Sequence, residues 1–581
     1  MDKSMTWDLE KMYADEAAFE EDLAQVKENL ERVDALIDKP LDNIKEIMQI
    51  QEATARKLSH AYVYSNMRKD EDSRVSKFQK MNLEAQSLYN DYETKFAFFQ
   101  PFLLSLTEEE TQALLAREDL SRYQLSLKKI LRYKPHTLSA AEEKIMSSFA
   151  SALKAPSEIY YYLTNADMQF PALESTDEKL SQTSFVKLQM HQDVEVRKEA
   201  FEKFYATFKQ FGNTIASSYY NNLKEITTEA KLRAYESARQ MELYRDDVDV
   251  KVYDALIESI HNNMPAMHKY YAIKKKALGL DEQHMYDVYL PITSSFNKEY
   301  SFEEAKNLVI EAVAPLGEEY QSIVKRAFDE RWMDVYPREG KRGGAYSSGS
   351  YDSYPYMLLN FNGTLDSVFT LAHEMGHSVH SYYARENNDF LDSNYTIFSA
   401  EVASTFNEAL LLDYLLKRVE SDEEKLYLID FHLNSFKSTV FRQTMFAEFE
   451  REAHRLVEEG QALTEEDFSS IYHELNKAYF GDAMVSDQEI AYEWMRIPHF
   501  YSNFYVYKYA TGYTASTILA NRVLAGQEGA VENYFKFLKD GAKHFPIDQL
   551  KMAGVDMSDA STVDEALDVF VKLVDQLDQM I

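Results

Sequence analysis

The segment His373-Glu374-Met375-Gly376-His377 carries three side chains whose types and spacing suit metal-assisted hydrolysis. Four residues turn an α-helix by about 400°, so the two imidazoles lie one turn apart on one face and can reach the same ion. Glu374 lies beside them, where its carboxylate can reach a metal-bound water rather than the metal. This H-E-x-x-H pattern therefore predicts His373 and His377 as metal ligands and Glu374 as general base.

A carboxylate from the next helix is predicted to complete the ligand set. Glu401 and Glu408 are seven residues apart in the segment from Ser399 to Leu412, which is otherwise small and apolar on the side that they share. A carboxylate in such surroundings needs compensation. The predicted compensation is the metal for Glu401 and a hydrogen bond to a liganding histidine for Glu408. Ordinary surface positions are the alternative for both.

A third histidine, His380, shares a helix face with His373, but seven residues of helical rise separate the two by about 10 Å. That distance is too long for one coordination sphere, so His380 is predicted to be a core histidine rather than a ligand. The chain has no cysteine, which leaves His, Asp and Glu as the side chains that could hold a metal.

The elements that position these residues are predicted to be mostly helices. Only 16 glycines and 12 prolines occur in 581 residues, and few turns imply long helices. Apolar residues recur every three or four positions from Phe19 to Ile37 and stop before Pro40, which indicates a helix over that range. Further helix starts are indicated by capping boxes at Thr107, Ser139 and Ser301.

The helical pattern breaks between Val335 and Thr364, just before the H-E-x-x-H segment. Five glycines lie in this window together with the tract Tyr356–Phe361, which favours a glycine-rich loop and a short strand. A strand beside the metal helix can pair with an extended peptide. The alternative for the glycine loop is a simple turn. The candidate substrate-binding residues in this window are Gly344, Tyr346, Leu359 and Asn360.

Charge and hydropathy exclude several classes of partner. The net charge is −34, from 63 Lys and Arg against 97 Asp and Glu, and it repels phosphate backbones, so no nucleic-acid partner is predicted. No run of eighteen apolar residues occurs, so no membrane span is predicted. The N-terminus lacks the apolar core of a secretory signal, and the predicted location is the cytoplasm.

Together these motifs resemble the oligoendopeptidase F branch of the thimet oligopeptidase-like zinc metallopeptidases. The resemblance rests on the H-E-x-x-H segment, on Glu401 twenty-four residues after His377, and on Glu408 beyond it. It also rests on the approach over residues 355–361 and on the tyrosine-rich segment near the C-terminus. It covers about residues 191–581 well and the N-terminal helices more loosely, through their length and pattern.

The resemblance implies a mostly α, large two-lobed helical metallopeptidase with a deep substrate channel and a small β-sheet near the zinc helix. A narrow channel admits flexible oligopeptides and excludes folded proteins. The predicted domains are an N-terminal helical domain over residues 1–185 and a catalytic zinc-peptidase domain over residues 186–581. The implied cofactor is one zinc ion per chain.

Members of the family bind the oxyanion of the tetrahedral intermediate with a histidine and a tyrosine from the C-terminal aromatic segment. His499 and Tyr507 match these positions best, so the resemblance implies catalytic roles for both. Tyr501 and Tyr505 are the alternatives and are further candidates for substrate binding. An aromatic stripe in a helical core is the other interpretation of Tyr501, Tyr505 and Tyr509.

The predicted function is a zinc metallo-endopeptidase that hydrolyses internal peptide bonds of short oligopeptides, with Glu374 as the base for the zinc-bound water. Oligopeptides are the predicted partners, and the sequence indicates no particular oligomeric state. One alternative is a dipeptidyl carboxypeptidase of similar fold, whose cationic clamp would be drawn from Arg338, Lys341 and Arg342. Another is a non-catalytic helical scaffold that binds peptides.

Overall fold

The computed structural model describes residues 3–293 and 298–581, and α-helices predominate in them, as the sequence predicts. The helices of the first half are α1 (Glu16–Val33), α2 (Ile44–Glu71), α3 (Ser76–Phe96), α4 (Phe99–Ser105), α5 (Glu108–Leu115), α6 (Gln124–Leu131), α7 (Ala140–Leu153), α8 (Ala155–Tyr162), α9 (Phe185–Gln189), α10 (Val194–Gln210), α11 (Gly212–Leu232), α12 (Ala238–Tyr244), α13 (Val250–Ala277), α14 (Phe302–Ala312) and α15 (Glu318–Asp329).

The remaining helices are α16 (Leu365–Glu386), α17 (Ile397–Leu416), α18 (Asp422–Phe436), α19 (Arg442–Glu458), α20 (Glu465–Phe480), α21 (Tyr507–Leu524), α22 (Ala530–Asp540), α23 (Pro546–Met552) and α24 (Ala560–Met580). None of the helices described is long and apolar enough to cross a bilayer.

Helix α1 follows the predicted apolar stripe closely. The Asp15 side chain accepts a hydrogen bond from the Ala18 N–H at its start, and the stripe from Phe19 to Val33 is buried. The helix ends at Val33, before the predicted end at Ile37, because the N–H of the next residue bonds three residues back and tightens the last turn. The capping boxes predicted at Thr107, Ser139 and Ser301 are all present.

A small three-stranded sheet interrupts the helices before α16. Its strands are β1 (Met333–Asp334), β2 (Tyr346–Ser348) and β3 (Tyr356–Leu358), in the order β1-β3-β2. Strand β3 pairs parallel with β1 and antiparallel with β2, and hydrogen bonds from the N–H groups of Leu359 and Phe361 extend its pairing on the β1 side. The prediction that a peptide pairs with the segment 356–361 is therefore wrong for Tyr356–Leu358, because β3 is the central strand and both of its edges are occupied. The edge strand beside it is β2.

The described residues form two compact units, each built from three separate segments of the chain. The first unit comprises the described residues of Met1–Thr137, Asn297–Tyr414 and Leu519–Gly554. The second unit comprises the described residues of Leu138–Phe296, Leu415–Ile518 and Val555–Ile581. The domain boundary near residue 185 does not coincide with these crossings and stays a prediction.

Each unit has its own hydrophobic core. In the first unit, helices α1 to α6 pack around a core that also contains Tyr356 and Leu358 of β3. In the second unit, aromatic rings dominate: Phe449 lies 5.0 Å from Phe500, and Tyr219 lies 5.1 Å from Phe468, measured between ring centroids. The first core fixes the sheet against the N-terminal helices, and the sheet in turn contacts α16.

Candidate metal centre

Two consecutive long helices of the first unit carry the predicted metal site. Helix α16 begins after Thr364, whose side chain accepts a hydrogen bond from the Ser367 N–H, and it bears His373, Glu374 and His377. Helix α17 bears Glu401 and Glu408. The sequence of α17 is apolar on most of its faces, so this helix is buried. Its two carboxylates therefore lie close to α16.

Gly376 sets the distance between α16 and α17. A Cβ atom at this position would lie 2.6 Å from the carbonyl oxygen of Ala403 and 2.7 Å from Cα of Ser404, both closer than van der Waals contact allows. The two helix backbones therefore meet at Gly376, one residue before His377. The sequence analysis did not single out this role, although a glycine facing Ala403 and Ser404 is the pattern of a close helix contact.

Three ligand atoms converge between the two helices. His373 Nε2 lies 3.2 Å from His377 Nε2 and 3.6 Å from Glu401 Oε2, and the three ligand atoms lie within 4.8 Å of one another. Ligands of a tetrahedral ion at about 2.0–2.1 Å are separated by about 3.3 Å. The spacing therefore fits one small divalent cation held by His373, His377 and Glu401.

The outer nitrogen of each imidazole has its own partner. His373 Nδ1 lies 2.5 Å from Glu408 Oε1, and the backbone carbonyl of Ala400 accepts a hydrogen bond from His377. With a hydrogen on each outer nitrogen, both Nε2 atoms present lone pairs to the same point. Two lone pairs 3.2 Å apart repel each other unless a cation or a proton lies between them.

These partners also determine the pKa values of the two histidines. Burial lowers the pKa of His373, but the hydrogen bond and charge of Glu408 outweigh burial and raise the pKa to about 9. Burial and the neighbouring charge of His373 lower the pKa of His377 to about 3. The site therefore resists a second proton, and a divalent cation is the better partner for the converging nitrogens.

Glu374 lies on the same helix but is held separately from the ligands. Its side chain is buried, and the backbone N–H of Ser347 in β2 donates a hydrogen bond to its carboxylate. Burial raises the pKa of Glu374 to about 7, although the charge of His373 opposes this shift. Its Oε2 has no hydrogen-bond partner in the part of the chain that the structure describes. A carboxylate with this pKa and an unpaired oxygen can accept a proton near neutral pH.

Strand β2 is joined directly to the metal helix. The hydroxyl oxygens of Ser347 and Ser378 lie 2.9 Å apart, so the edge strand runs beside the H-E-x-x-H segment. Neither serine was among the predicted site residues, since only the fold brings them together. The side chain of Tyr346, a predicted substrate-binding residue, donates from its hydroxyl to Asp70 at 3.0 Å.

The other predicted residues of the glycine loop contact the protein itself. Gly344 has a φ of +82°, and the Asn360 amide donates to the Gly344 carbonyl at 2.6 Å and to the Arg342 carbonyl at 3.0 Å. Leu359 is buried, and its N–H donates to the carbonyl of Asp334 at 2.8 Å. These contacts stabilise a turn, and binding of substrate by these three predicted residues stays a prediction.

The basic residues proposed for a carboxylate clamp are paired within the first unit. Arg338 donates twice to the carboxylate of Asp334. Lys341, whose side chain is fully buried, donates to the same carboxylate at 2.6 Å. Arg342 donates to Asp70 at 3.2 Å. Arg338 and Lys341 therefore neutralise a buried aspartate rather than present charge to a ligand.

Three further residues of the first unit stabilise the two metal helices. His380 is buried and stacks on Tyr395 with ring centroids 3.7 Å apart, as predicted for a core histidine. The hydroxyl of Tyr395 donates to the carbonyl of His377 at 3.3 Å. Asn407, which the sequence analysis did not identify, donates to the carbonyl of Ala372 at 3.3 Å.

The predicted oxyanion residues belong to the second unit. His499 is exposed, with the rings of Tyr505 and Tyr509 at 6.4 Å and 6.0 Å. Tyr507 is fully buried against Tyr253, with ring centroids 5.2 Å apart. Tyr501 stacks on Tyr160 at 4.6 Å. The catalytic roles of His499 and Tyr507, and substrate binding by Tyr501 and Tyr505, stay predictions.

Two family models match the chain. The model described as Peptidase family M3 matches residues 187–569, and the model described as Oligopeptidase F matches residues 103–170. The chain belongs to peptidase family M3. The M3 match includes the H-E-x-x-H segment and Glu401, and membership of family M3 implies a metal, for which the converging His, His and Glu side chains are the ligands present.

Relatives align with the chain from end to end. It is 40% identical to oligopeptidase PepF of Bacillus subtilis over 99% of this chain and 87% of that protein. It is 38% identical to group B oligopeptidase PepB of Streptococcus agalactiae over 100% and 98% of the two chains. The structure of oligoendopeptidase-F from Enterococcus faecium is 32% identical, with a TM-score of 0.74 over 97% of this chain and 98% of that chain.

A solved chain from Chlamydophila abortus is 33% identical and has a TM-score of 0.94 over 100% of this chain and 99% of that chain. These comparisons confirm the predicted resemblance and the prediction of a metallopeptidase of mostly helical M3 fold.

Proposed function

We propose that this protein is a zinc endopeptidase that hydrolyses internal peptide bonds of short oligopeptides. The observation that carries the proposal is the convergence of His373, His377 and Glu401, with ligand atoms within 4.8 Å of one another, beside the buried carboxylate of Glu374. The M3 family match and the relatives named as oligopeptidases support the oligopeptide substrate and the metallo-endopeptidase class. The cytoplasm stays the predicted location.

Zinc is the proposed metal because two imidazoles and one carboxylate form the donor set of catalytic zinc sites that keep an open position. When bound, the ion supplies Lewis acidity to the scissile carbonyl and to water. Glu408 orients His373 through the contact at Nδ1, and the Ala400 carbonyl orients His377. Both imidazoles thereby keep Nε2 toward the metal position.

Glu374 is the proposed general base and acid. Its carboxylate accepts a proton from the attacking water and then donates that proton to the nitrogen of the leaving amine. Burial raises the pKa of the Glu374 carboxyl above its ordinary value, which makes it a stronger base than an exposed glutamate. The hydrogen bond from the Ser347 N–H holds the carboxylate beside the ligands.

Strand β2 is the proposed binding edge for an extended substrate. It is the outer strand beside β3, and Ser347 ties it to Ser378 of the metal helix. A peptide that adds to this edge by main-chain hydrogen bonds would lie along the metal site with little demand on its side chains. His499 and Tyr507 are the proposed donors to the oxyanion, a role that the family resemblance supports.

The carboxypeptidase alternative is disfavoured by the pairing of its candidate clamp. Arg338 and Lys341 both contact the carboxylate of Asp334, so a substrate carboxylate would have to displace an internal ion pair. The non-catalytic scaffold is disfavoured because the base and the ligand set are both in place.

Mass spectrometry of a mixed oligopeptide pool tests the proposal, with half of the peptides blocked at both ends. Incubation with the zinc-loaded protein should give internal cuts in blocked and free peptides alike, and a chelator should abolish them. Trimming of free-ended peptides alone would replace the endopeptidase by a carboxypeptidase. Zinc binding without any cleavage would support the scaffold.

A further inference from the structure

A small internal cavity in the second unit is surrounded by cationic side chains that the peptidase chemistry does not use. Its volume is about 40 Å³, and the polar groups in its wall include the ammonium of Lys437, the guanidinium of Arg442 and the carboxylate of Glu493. Aromatic rings such as Tyr205 and Phe480 form much of the remainder. None of the proposed metal ligands lines this cavity.

Two guanidinium groups share the one carboxylate in the cavity wall. Arg442 and Arg496 donate to the same oxygen, Glu493 Oε1, at 2.6 Å and 2.9 Å. The hydroxyl of Tyr472 donates to the other oxygen at 2.6 Å. Both oxygens of the carboxylate are thus occupied while one positive charge is left over, and Arg496 Nε has no partner among the residues described.

Two lysines add further positive charge nearby. Lys274 is fully buried and Lys437 nearly so, and both ammonium groups donate to the same carbonyl oxygen, that of Val288, at 3.2 Å and 3.5 Å. Lys437 also donates to Asn434 Oδ1 at 2.9 Å. Within residues 3–293 and 298–581, neither ammonium forms an ion pair. Asp430 is the nearby carboxylate whose charge acts on both.

Asp287, whose charge also acts on Lys274, is paired with Arg197 at 2.7 Å. The remaining cluster therefore holds four cationic side chains against two carboxylates, Asp430 and Glu493. Unpaired charge in a buried region is strongly unfavourable unless a counter-charge or proton loss compensates it. Aromatic faces compensate in part, since Lys437 lies 5.2 Å from the ring centroid of Tyr289 and Arg442 lies 4.6 Å from that of Phe446. Full neutralisation requires a negative charge in the cavity or the loss of protons from the lysines.

The backbone at this point is irregular in a way that presents these residues to the cavity. A π-helical turn, Lys437–Phe441, separates α18 from α19, so Lys437 begins the turn and Arg442 follows it. Single π-helical turns inside α-helices are unfavourable by themselves and are frequent at functional sites. The irregularity therefore coincides with the two cations that line the cavity.

We propose that a small monovalent anion of halide size binds in this cavity, against Lys437 and Arg442. A water molecule needs roughly 10–15 Å³ on this measure, so the cavity of about 40 Å³ admits one such ion and is too small for a peptide or a nucleotide. The anion supplies the missing negative charge and allows the lysines to stay charged. This inference goes beyond the proposed function, because it concerns stability of the second unit rather than hydrolysis.

Thermal unfolding of the full-length protein tests the site in sodium chloride, sodium bromide and sodium gluconate at equal ionic strength. Gluconate is too large for the cavity and serves as the reference anion. The melting temperature should rise by a few degrees and in a saturable way with chloride or bromide, and stay level with gluconate. Equal melting temperatures in all three salts would overturn the proposal and indicate that the lysines have lost protons.

Lys437→Met removes one cation and keeps the length of the side chain. The variant should lose the halide-dependent rise, and in gluconate it should melt no lower than the parent protein. The matched control is Lys209→Met, which changes an exposed lysine of the same unit and should keep the full halide response. A halide response of Lys437→Met equal to that of the control would contradict the assignment.

Bromide in crystals of the unmodified protein gives a measurement that needs no variant. An anomalous-scattering peak is expected in the cavity beside the Lys437 ammonium and the Arg442 guanidinium. Bromide peaks confined to the protein surface would overturn the proposal. Neither measurement depends on peptidase activity, so failure of the anion site and failure of the proposed function are distinguishable.

Discussion

Each reactive side chain of the metal centre is held by a second polar group. Glu408 holds His373, the Ala400 carbonyl holds His377, and the Ser347 N–H holds Glu374. Loss of such outer partners typically costs 10–100-fold in metal affinity or activity. The precision of the site therefore depends on α17 and β2 as much as on the motif in α16.

Replacement of Glu374 by Gln separates catalysis from metal binding. The amide keeps the shape of the side chain but cannot accept the proton of the attacking water, so turnover should fall by about 10²–10⁴-fold. Metal content, measured by atomic spectroscopy on the same preparation, should be unchanged. Glu386→Gln, an exposed position on the same helix, is the control and should retain full activity. A tenth of normal turnover in Glu374→Gln would refute the base assignment.

At this scale, helical periodicity was enough to group the side chains that the structure brings together. Spacings of four and seven residues placed His373 and His377 on one face and Glu401 and Glu408 on another, and the structure shows these faces opposed. Periodicity could not identify Ser347, Ser378 or Asn407, because their contacts join segments that are distant in the sequence. It could not evaluate His499 and Tyr507 either, since a family resemblance alone selected them.

The contact between α16 and α17 is the element on which the ligand set depends. His373 and His377 project from α16, and Glu401 projects from α17. The two backbones touch at Gly376. A methyl group placed there must move one helix relative to the other. Overpacking of this kind typically costs about 1–3 kcal/mol.

Gly376→Ala should therefore reduce metal affinity at least about tenfold and lower the melting temperature. Isothermal titration of the metal-free protein with zinc measures the first effect, and calorimetry measures the second. Gly343→Ala is the matched control, since a Cβ there meets nothing within 4 Å, and it should behave like the parent protein. Unchanged zinc affinity in Gly376→Ala would show that the helices can separate without loss of the site.

The strands show why the arrangement and the ends of secondary-structure elements were harder to predict than which side chains share a helix face. Residues 356–361 were recognised as extended from their composition, but which strand is central depends on pairing with β1 and β2 across loops. Register and edge position are properties of the assembled sheet. The same limit applies to the end of α1, where local hydrogen bonding rather than the apolar stripe determines the last turn.

At the scale of the whole molecule, each unit is assembled from segments that are far apart in the chain. The core of the first unit combines the N-terminal helices with Tyr356 and Leu358, which come more than two hundred residues later. Charge is also distributed unevenly: the chain carries −34 overall, yet the interior of the second unit holds an excess of cations around Lys437. The composition gives the negative net charge directly, but it could not reveal the buried excess of cations in the second unit.

A fragment of residues 1–185 expressed alone should not melt cooperatively, because it lacks the strand that completes its core. Co-expression with residues 186–581 should restore one sharp transition and zinc binding. Near-ultraviolet circular dichroism and calorimetry of each preparation measure both. A cooperative transition in the isolated fragment would instead support an autonomous N-terminal domain with the boundary predicted near residue 185.

The interleaving of the two units also constrains how genes for such proteins can recombine. A single crossover between two relatives exchanges one contiguous stretch, and no contiguous stretch consists of one whole unit without part of the other. Most such hybrids would join halves of cores that diverged separately. Inheritance of the chain as one block is the expected result.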